Sequence, residues 1–393
     1  MSVDALNDRP DPDTDDLFAD ADAGPARKAS TRAGILPSSA LTEMIHAGQI
    51  QATEPIGKGQ IQPASLDLRL GEHAYRVRAS FLPGARSGVK DKIDQFRMHR
   101  IDLSDGAVLE RGCVYIVPLM EHLKLPAGIS AIANPKSSSG RLDIFTRLIT
   151  DNAVSFDRVE AGYQGRLYAE IAPRTFSVLV RKGTRLSQIR FRRGGREFTD
   201  ADLKRLQERT PLVHAPDGGT DIANGIAVSV DLKGTDASRL IGYKARRHTA
   251  LIDVEKVGHY DAEEFWEPIY NRNDEGLILN PDDFYILASR EAVTVPPDHA
   301  AEMVAYDTLV GEFRVHYAGF FDPGFGYAEA GGQGTRAVLE VRSHEVPFLL
   351  EHGQIVGRLI YDRLTDVPDR LYGTDMGSHY QRQGLALAKQ FRR

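Results

Sequence analysis

The chain has 393 residues, of which 41% are hydrophobic and 26% charged, and its formal net charge is −6 at pH 7. This length accommodates two domains of ordinary size, and an acidic chain of this kind offers no basic field to nucleic acid. No run approaches the ~18 apolar residues that cross a membrane, and the lone Cys113 cannot form an internal disulfide. The polar start after Met1 is unlike a signal peptide, so we expect a cytoplasmic protein with neither nucleic acid nor membrane as a partner.

Short, mainly β-type elements dominate the pattern along the chain. Residues 1–32 are rich in Asp, Ala, Pro and Ser, and they predict a disordered acidic arm. The run "LPSSALTEMIHAGQI" then predicts a short amphipathic helix capped by Ser38 or Ser39. After it, alternating or β-branched runs of a few residues are separated by Gly, Pro, Asp and Asn. This pattern is typical of a sandwich or barrel and not of a parallel sheet.

The chain also contains a long internal repeat. "SLDLR" at 65–69 returns as "SVDLK" at 229–233, and from Leu109 onward the two copies keep a constant offset of 170 residues. The anchors of this register are Tyr115 and Tyr285, Pro126 and Pro296, Glu170 and Glu340, and Gly183 and Gly353. A repeat of this length indicates a duplicated domain. We therefore predict a first domain at 33–198, a helix and linker at 199–221, a second domain at 222–371 and a C-terminal tail or lid at 372–393.

The copies differ most at the loop "NPKSSSGR", residues 134–141. Six consecutive positions supply a Lys, three hydroxyls, a Gly and an Arg, which suits a di- or triphosphate, although a solvated polar turn is the simpler alternative. The offset takes "KSSSGR" to "YDTLVG" at 306–311, which has no Lys, no serine pair and no Arg. Further along the first copy, Glu170 stands in an apolar strand, either facing solvent or held in a pocket for proton transfer.

Four segments together resemble a known family. "QPASLDLRLG", "NPKSSSGRLD", "GYQGRLYAE" and "GTRLSQIRF", in this order and spacing, are similar to the dCTP deaminase branch of the dUTPase superfamily, here in a tandem-duplicated form. The likeness extends over residues 33–393, because the second copy and the ending "YGTDMGSHYQRQG" follow the pattern as well. The resemblance implies two distorted jelly-roll β-barrels with a few short helices, assembled as a homotrimer with active sites between neighbouring subunits.

The resemblance also implies roles for particular residues. Catalysis falls to Glu170 with Arg141 and Ser137, and the residues expected to bind substrate are Lys136, Ser137, Ser138, Arg141, Glu160, Tyr168, Ala169, Tyr372 and Gln383. Glu160 replaces the Asp with which the family contacts deoxyribose, and His379 replaces a Lys of the family's tail. The tail at 372–393 is expected to close over the site, the alternative being a frayed terminus.

This family's chemistry suits a carboxylate. Water must attack C4 of cytosine, losing one proton, and another must reach the departing nitrogen; a single carboxylate with a raised pKa does both. Zinc deaminases need a signature with at least two cysteines, so with only Cys113 we expect no zinc and no other protein-bound metal. Mg²⁺ is expected only with the triphosphate, bound through its oxygens.

The second copy admits two interpretations. It retains Asp322 in "FFDPGFGY" and Glu340 in "AVLEV". In the simpler interpretation this copy is degenerate and supports the trimer. The first domains of the three chains then form a ring that contains the complete active sites. In the alternative, Glu340 pairs across an interface with the "KSSSGR" loop of the first domain.

Several functions stay open from the sequence. Deamination of dCTP to dUTP and ammonia, feeding dUMP and dTTP synthesis, is the first. A bifunctional enzyme that releases dUMP and pyrophosphate, or a dUTPase, is the alternative, and a nucleotide sensor that binds dCTP or dTTP without turnover is a third. dCTP is the expected substrate, and dUTP and dTTP are further candidate ligands.

Overall fold

The computed structural model describes residues 32–195, 198–215, 218–234, 238–271, 275–305, 313–315, 319–328, 334–343, 345–373 and 384–392. Among these residues the fold is mainly β with a few short helices, as the sequence predicted. The acidic arm expected at 1–32 lies outside the described residues except for Arg32. We call residues 32–195 the first half, 198–373 the second half and 384–392 the C-terminal segment.

The helices are short. Within the described ranges they are α1 (Ser38–His46), α2 (Val89–Phe96), α3 (Ser137–Gly140), α4 (Asp200–Arg209) and α5 (Ala262–Phe265), with a 3-10 turn at Lys58–Gln60. The predicted helix near Ser38 is confirmed, although Pro37 occupies its N-cap. At α4, the hydroxyl of Thr199 accepts the Asp202 amide and the Asp202 carboxylate accepts the Thr199 amide, a capping box that fixes the helix start. None of the helices described is long and apolar enough to cross a membrane.

Two antiparallel sheets contain most strands of the first half. Its strands are β1 (Gly34–Ile35), β2 (Ile50–Ala52), β3 (Leu66–Arg69), β4 (His73–Val77), β5 (Arg97–Asp102), β6 (Ala107–Leu109), β7 (Val114–Lys124), β8 (Ile129–Pro135), β9 (Ile144–Thr150), β10 (Arg158–Val159), β11 (Gln164–Pro173), β12 (Val178–Val180) and β13 (Arg185–Arg193). One sheet has the order β5-β4-β7-β11-β9 and the other β1-β13-β8-β10, and β6 and β12 pair in a third sheet. On β11, Leu167, Ala169 and Ile171 enter the core, so alternation turns Glu170 to the opposite face.

The second half repeats this plan. Its strands are β14 (Val213–His214), β15 (Ile226–Ser229), β16 (Leu240–Ala245), β17 (Ile252–Asp253), β18 (Trp266–Tyr270), β19 (Leu277–Leu279), β20 (Phe284–Val293), β21 (His299–Ala305), β22 (Phe313–Val315), β23 (Phe320–Phe321), β24 (Thr335–Ser343), β25 (Phe348–Leu350) and β26 (Ile355–Arg363). The main sheets have the orders β18-β16-β20-β24-β22 and β15-β26-β21-β23. Strand β24 therefore occupies the place of β11, between β20 and a shorter neighbour.

Equivalent contacts confirm the repeat. Glu170 lies opposite Ile116 on β7, and Glu340 lies opposite Ile286 on β20. The Tyr115 hydroxyl accepts the amide of Glu110 at 3.0 Å, and the Tyr285 hydroxyl accepts the amide of Asn280 at 3.1 Å. Gly183 and Gly353 have φ of 87° and 82°, a turn conformation that favours glycine in both copies.

The two halves are joined through buried contacts. Strand β17 of the second half pairs in parallel with β12 of the first, opposing Ile252 to Val178. The outer face of β24 turns towards the first half: Val338 packs against the core cluster that contains most first-half core residues. On the same face, the Arg342 guanidinium binds the carboxylate of Asp143, and both side chains are buried. This packing brings residues of β24 to the loop that follows β8.

Candidate active site between the two halves

The loop "KSSSGR" forms a compact turn at the end of β8. Lys136 is the N-cap of α3, and its amide donates to the Leu186 carbonyl at 2.9 Å, which ties the turn to β13. Ser137 is exposed, whereas Ser139 is buried. Arg141 follows the helix and is only 7% exposed, so its guanidinium is directed into the protein. The loop thus offers hydroxyls outward and one cation inward.

Lys136 contacts a carboxylate from the repeated "SLDLR" motif. Its Nζ donates to Oδ2 of Asp67, which is 1% exposed on β3. Because β3 pairs with β13, and β13 with β8, the sheet itself holds Asp67 beside the loop. Asp67 fixes the position of the Lys136 ammonium, where a phosphate would meet a charge already oriented by the fold.

A second-half carboxylate lies close to this pair. Arg190 on β13 donates to Oδ1 of Asp322 at 2.9 Å, and its guanidinium stacks over Phe320 at 4.0 Å from the ring centroid. Burial raises the pKa of Asp322, an effect that the charges of Arg190 and Lys136 oppose and that of Asp67 reinforces. The carboxyl of "FFDPGFGY" therefore shares one electrostatic environment with the first-half loop.

Arg141 faces Glu340 across the boundary between the halves. Nε of Arg141 lies 4.0 Å from Oε1 of Glu340, and both side chains are buried. Burial raises the pKa of Glu340 from 4.5 to about 7, against the opposing charge of Arg141. A carboxyl with this pKa exists in both protonation states near neutral pH, which a proton-transferring group requires.

The C-terminal segment touches the same arginine. Nη1 of Arg141 donates to the carbonyls of Ala386 and Leu387, at 3.1 Å and 3.5 Å. The described end of the chain is therefore packed at the site and is not frayed. Gln383, the tail residue expected to contact substrate, lies outside the described residues.

Glu170 is paired with an arginine of its own half. Its Oε1 accepts from Nε of Arg147 at 3.1 Å, and the Arg147 guanidinium lies 3.4 Å from the centroid of the Phe156 ring. Next to this pair, burial raises the pKa of Asp157 to about 7. Within the chain Arg141 contacts Glu340, as in the alternative interpretation of the second copy, because the outer face of β24 packs towards the first half.

The remaining expected residues are spread over the fold. Glu160 is exposed in the hairpin before β11, Ala169 lies in the first-half core, and Tyr168 packs in a small cluster with Val89 and Ile93 of α2. Tyr372 donates its amide to the Pro323 carbonyl at 2.8 Å, beside Asp322. Ser138 lies half-buried on α3.

Asp67 and Arg190 were missed by the sequence reasoning. A signal for the shared site was nevertheless present: the first copy keeps the cationic loop and has Glu160, while the second lacks the loop and keeps Asp322. Such complementary losses fit a single site with one half in each copy.

The fold is a duplicated, mainly β architecture with a buried arginine–glutamate pair between its halves, and comparison with known proteins assigns its family. Residues 32–195 match the 2'-deoxycytidine 5'-triphosphate deaminase N-terminal domain, and residues 199–391 match the C-terminal domain of the same family. A crystal structure of 2'-deoxycytidine 5'-triphosphate deaminase from Agrobacterium tumefaciens is 59% identical, with a TM-score of 0.81, covering 84% of this chain and 99% of that one. The chain belongs to the 2'-deoxycytidine 5'-triphosphate deaminase family.

Shorter curated relatives match part of the chain. A "dCTP deaminase, dUMP-forming" of Halobacterium salinarum is 34% identical over 32% of this chain and 62% of its own length. A protein of the same name from Beutenbergia cavernae is 34% identical over 28% of this chain and 55% of its own length. A "dCTP deaminase" of Natronomonas pharaonis is 30% identical over 47% of this chain and 90% of its own length. The chain thus spans less than two thirds of the first two relatives.

Proposed function

We propose that this protein hydrolyses dCTP to dUTP and ammonia at a site shared by its two halves. The observation that carries the proposal is the buried pair of Arg141 and Glu340 beside the Lys136 loop. Family membership supplies the substrate class, since relatives of this chain are named dCTP deaminases. In this proposal, each chain contains the interface that the family resemblance placed between subunits.

The Lys136 loop is the proposed triphosphate site. Lys136 supplies the charge, and the hydroxyls of Ser137 and Ser138 donate hydrogen bonds to the phosphate oxygens. The groups beside the loop suit phosphate better than a bare cation, since Asp67 already binds Lys136. Mg²⁺ would accordingly be held by the triphosphate oxygens. Asp322, beside Lys136, is the proposed contact to deoxyribose, in place of the exposed Glu160.

Glu340 is the proposed proton-transfer group. In its ionised form it takes a proton from the water that attacks C4 of the cytosine ring. It then delivers that proton to N4 as the C4–N4 bond breaks and ammonia leaves, while the second proton of the water moves from the new C4 hydroxyl to N3, so that a carbonyl remains. Arg141, with Ser137 at the start of the same turn, would orient the water and stabilise the developing charge.

Glu170, which the family motif implies is catalytic, is the alternative candidate for the proton-transfer group. Its pairing with Arg147 favours a structural role, because the guanidinium occupies the Oε1 oxygen. Tyr168 and Ala169 would line the base pocket only if Glu170 is the catalytic group. The two assignments predict opposite results for Glu340→Gln and Glu170→Gln.

A bifunctional reaction that continues to dUMP and pyrophosphate is the second candidate function. The names of two relatives favour it, since both are described as dUMP-forming. The chemistry would need a second water directed at the α-phosphorus, close to the Lys136 loop. If the protein were a dUTPase without deaminase activity, the pair of Glu340 and Arg141 would have no role in the reaction.

Zinc-free chemistry is part of the proposal. Cys113, at the start of β7, is the sequence's only cysteine, so a zinc site of the cysteine-rich deaminase type has no ligand set.

We also propose two dUTPase-like jelly-roll domains with the boundaries given above, a cytoplasmic location and assembly as a homotrimer. Light scattering tests the assembly, since a trimer has three times the mass of the 43.4 kDa chain.

The experiment that tests the function is a product analysis. EDTA-treated protein repleted with Mg²⁺ is incubated with dCTP, and ammonia, dUTP, dUMP and pyrophosphate are followed in one time course. Ammonia with dUTP supports the deaminase, and ammonia with dUMP and pyrophosphate supports the bifunctional enzyme. Tight dCTP binding without turnover would contradict both enzymatic functions and favour a nucleotide sensor.

A further inference from the structure

The C-terminal segment is anchored by an aromatic cluster far along the chain from the Lys136 loop. Phe391 is 3% exposed, and its ring lies 5.4 Å from that of Phe265 and 6.0 Å from that of Trp266. Trp266 in turn contacts Phe176 of the first half at 5.5 Å. The anchor therefore joins the last residues of the chain to both halves.

Backbone hydrogen bonds fix the register of this anchor. The amides of Gly258 and His259 donate to the carbonyls of Lys389 and Gln390, at 2.9 Å and 2.8 Å. Gln390 is 2% exposed, and its side-chain amide donates to the Val254 carbonyl at 2.6 Å. With these bonds the segment cannot slide along its groove without leaving buried polar groups unpaired, which is unfavourable.

The register matters because it determines where two carbonyls point. The carbonyls of Ala386 and Leu387, five and four residues before Phe391, accept hydrogen bonds from Nη1 of Arg141. The opposite edge of the same guanidinium, at Nε, faces Glu340. Arg141 is thus held between the C-terminal segment on one side and the carboxylate on the other.

We propose that Phe391 is a positioning residue for the reaction, acting through the carbonyls of Ala386 and Leu387 to hold Arg141 against Glu340. This inference rests on the proposed function, since it assigns a remote residue to the same site. It is not a claim that Phe391 touches substrate. Loosening the anchor should let Arg141 move away from Glu340.

The charges around Glu340 give this proposal a specific signature. Arg141 lowers and Asp143 raises the pKa of Glu340, with Asp143 itself bound by Arg342 on the same strand. If Arg141 moves away, the lowering effect is lost and the remaining influences raise the pKa further. The acid limb of the kcat/KM profile for dCTP would then move to higher pH.

The test compares Phe391→Ala, Phe391→Leu and Arg392→Ala in the full chain. We expect Phe391→Ala to move the acid limb up by about one pH unit, because loss of a neighbouring opposite charge changes a pKa by about that much. Its kcat near pH 7 should fall about fivefold and recover at pH 9, because the ionised fraction at pH 7 falls from about one half to about one tenth when the pKa rises from about 7 to about 8. Phe391→Leu keeps an apolar anchor, so its acid limb and its kcat should both lie close to those of the wild type. Arg392→Ala removes only an exposed ion pair with Asp261 and should match the wild type.

An activity-independent readout separates this inference from the proposed function. The protonated carboxyl of Glu340 is followed by infrared difference spectroscopy, assigned by its absence in Glu340→Gln. An upward shift of that titration in Phe391→Ala supports the positioning role even if the protein acts on another substrate. Equal activity loss at every pH, an unmoved limb or an unmoved infrared titration would overturn it. Circular dichroism confirms that each variant is folded, and a chain ending at Gly384, with and without a peptide of residues 384–393, replaces any variant that is not.

Discussion

Glu170 accepts from Arg147 of its own half at 3.1 Å, whereas its counterpart in the repeat, Glu340, lies 4.0 Å from Arg141 of the other half. The two glutamates occupy equivalent places on β11 and β24, so the strand alone does not decide their roles. Their partners differ: one carboxylate faces a cation within its own half, and the other faces Arg141 of the loop for which we propose phosphate binding. The duplication has therefore produced two different environments from one motif.

Replacing each glutamate with glutamine separates these roles. Glu340→Gln should lower kcat for dCTP deamination about 10²–10⁴-fold, the usual contribution of a general acid–base group. Glu170→Gln should leave kcat within about threefold but lower the melting temperature, because breaking a largely buried ion pair leaves Arg147 without its charge partner. Ammonia release and thermal unfolding are measured on both variants. The reverse pattern of rates would assign catalysis to Glu170.

The raised pKa of Glu340 predicts a pH-dependent difference in stability. Its pKa is about 7 in the folded protein against 4.5 as the ordinary value, so the folded state binds the proton more tightly. The protonated Glu340 thereby contributes about 3 kcal/mol to the free energy of unfolding. This contribution is complete below pH ~4.5 and disappears as the pH rises through ~7. Glutamine does not titrate. The free energy of unfolding of wild type relative to Glu340→Gln should therefore fall between pH 4.5 and 8, as urea titrations would show, whereas parallel curves would contradict the shift.

The sequence predicted much of the fold because local patterns and the repeat carry it. The alternation on β11 gave the strand, and the offset between Tyr115 and Tyr285 gave the second copy. The sequence could not tell which glutamate meets Arg141, since β11 and β24 have the same pattern, and their packing depends on contacts between distant residues. The contact of Asp67 with Lys136 could not be predicted for the same reason. The pattern "SLDLR" predicts only a strand, and it is the pairing of β3 with β13 that brings Asp67 to Lys136.

Lys136 should govern affinity for the triphosphate. Lys136→Met removes one charge-assisted contact of about 1.5–3 kcal/mol, which raises KM for dCTP about 10–100-fold with a smaller effect on kcat. The variant should also lose part of the salt dependence of KM, because screening acts on the charge that is gone. The control is Lys182→Met, since Lys182 binds the exposed Glu54 and should leave KM unchanged. Equal KM values in the two variants would argue against a phosphate at this loop.

The buried pair of Arg342 and Asp143 should contribute to the joining of the halves. Both side chains are at most 4% exposed, and the hydroxyl of Thr175 also accepts from Arg342 at 3.0 Å. Arg342→Met leaves the Asp143 carboxylate buried without this cation, and we expect a loss of about 3–5 kcal/mol in the free energy of unfolding. The double variant Arg342→Met, Asp143→Asn should recover part of it, because the uncompensated charge is removed. Arg247→Met, which removes an exposed arginine from a partly exposed pair with Asp283, should cost less than about 1 kcal/mol in the same urea titrations. A double variant no more stable than Arg342→Met would show that the cost comes from packing and not from charge.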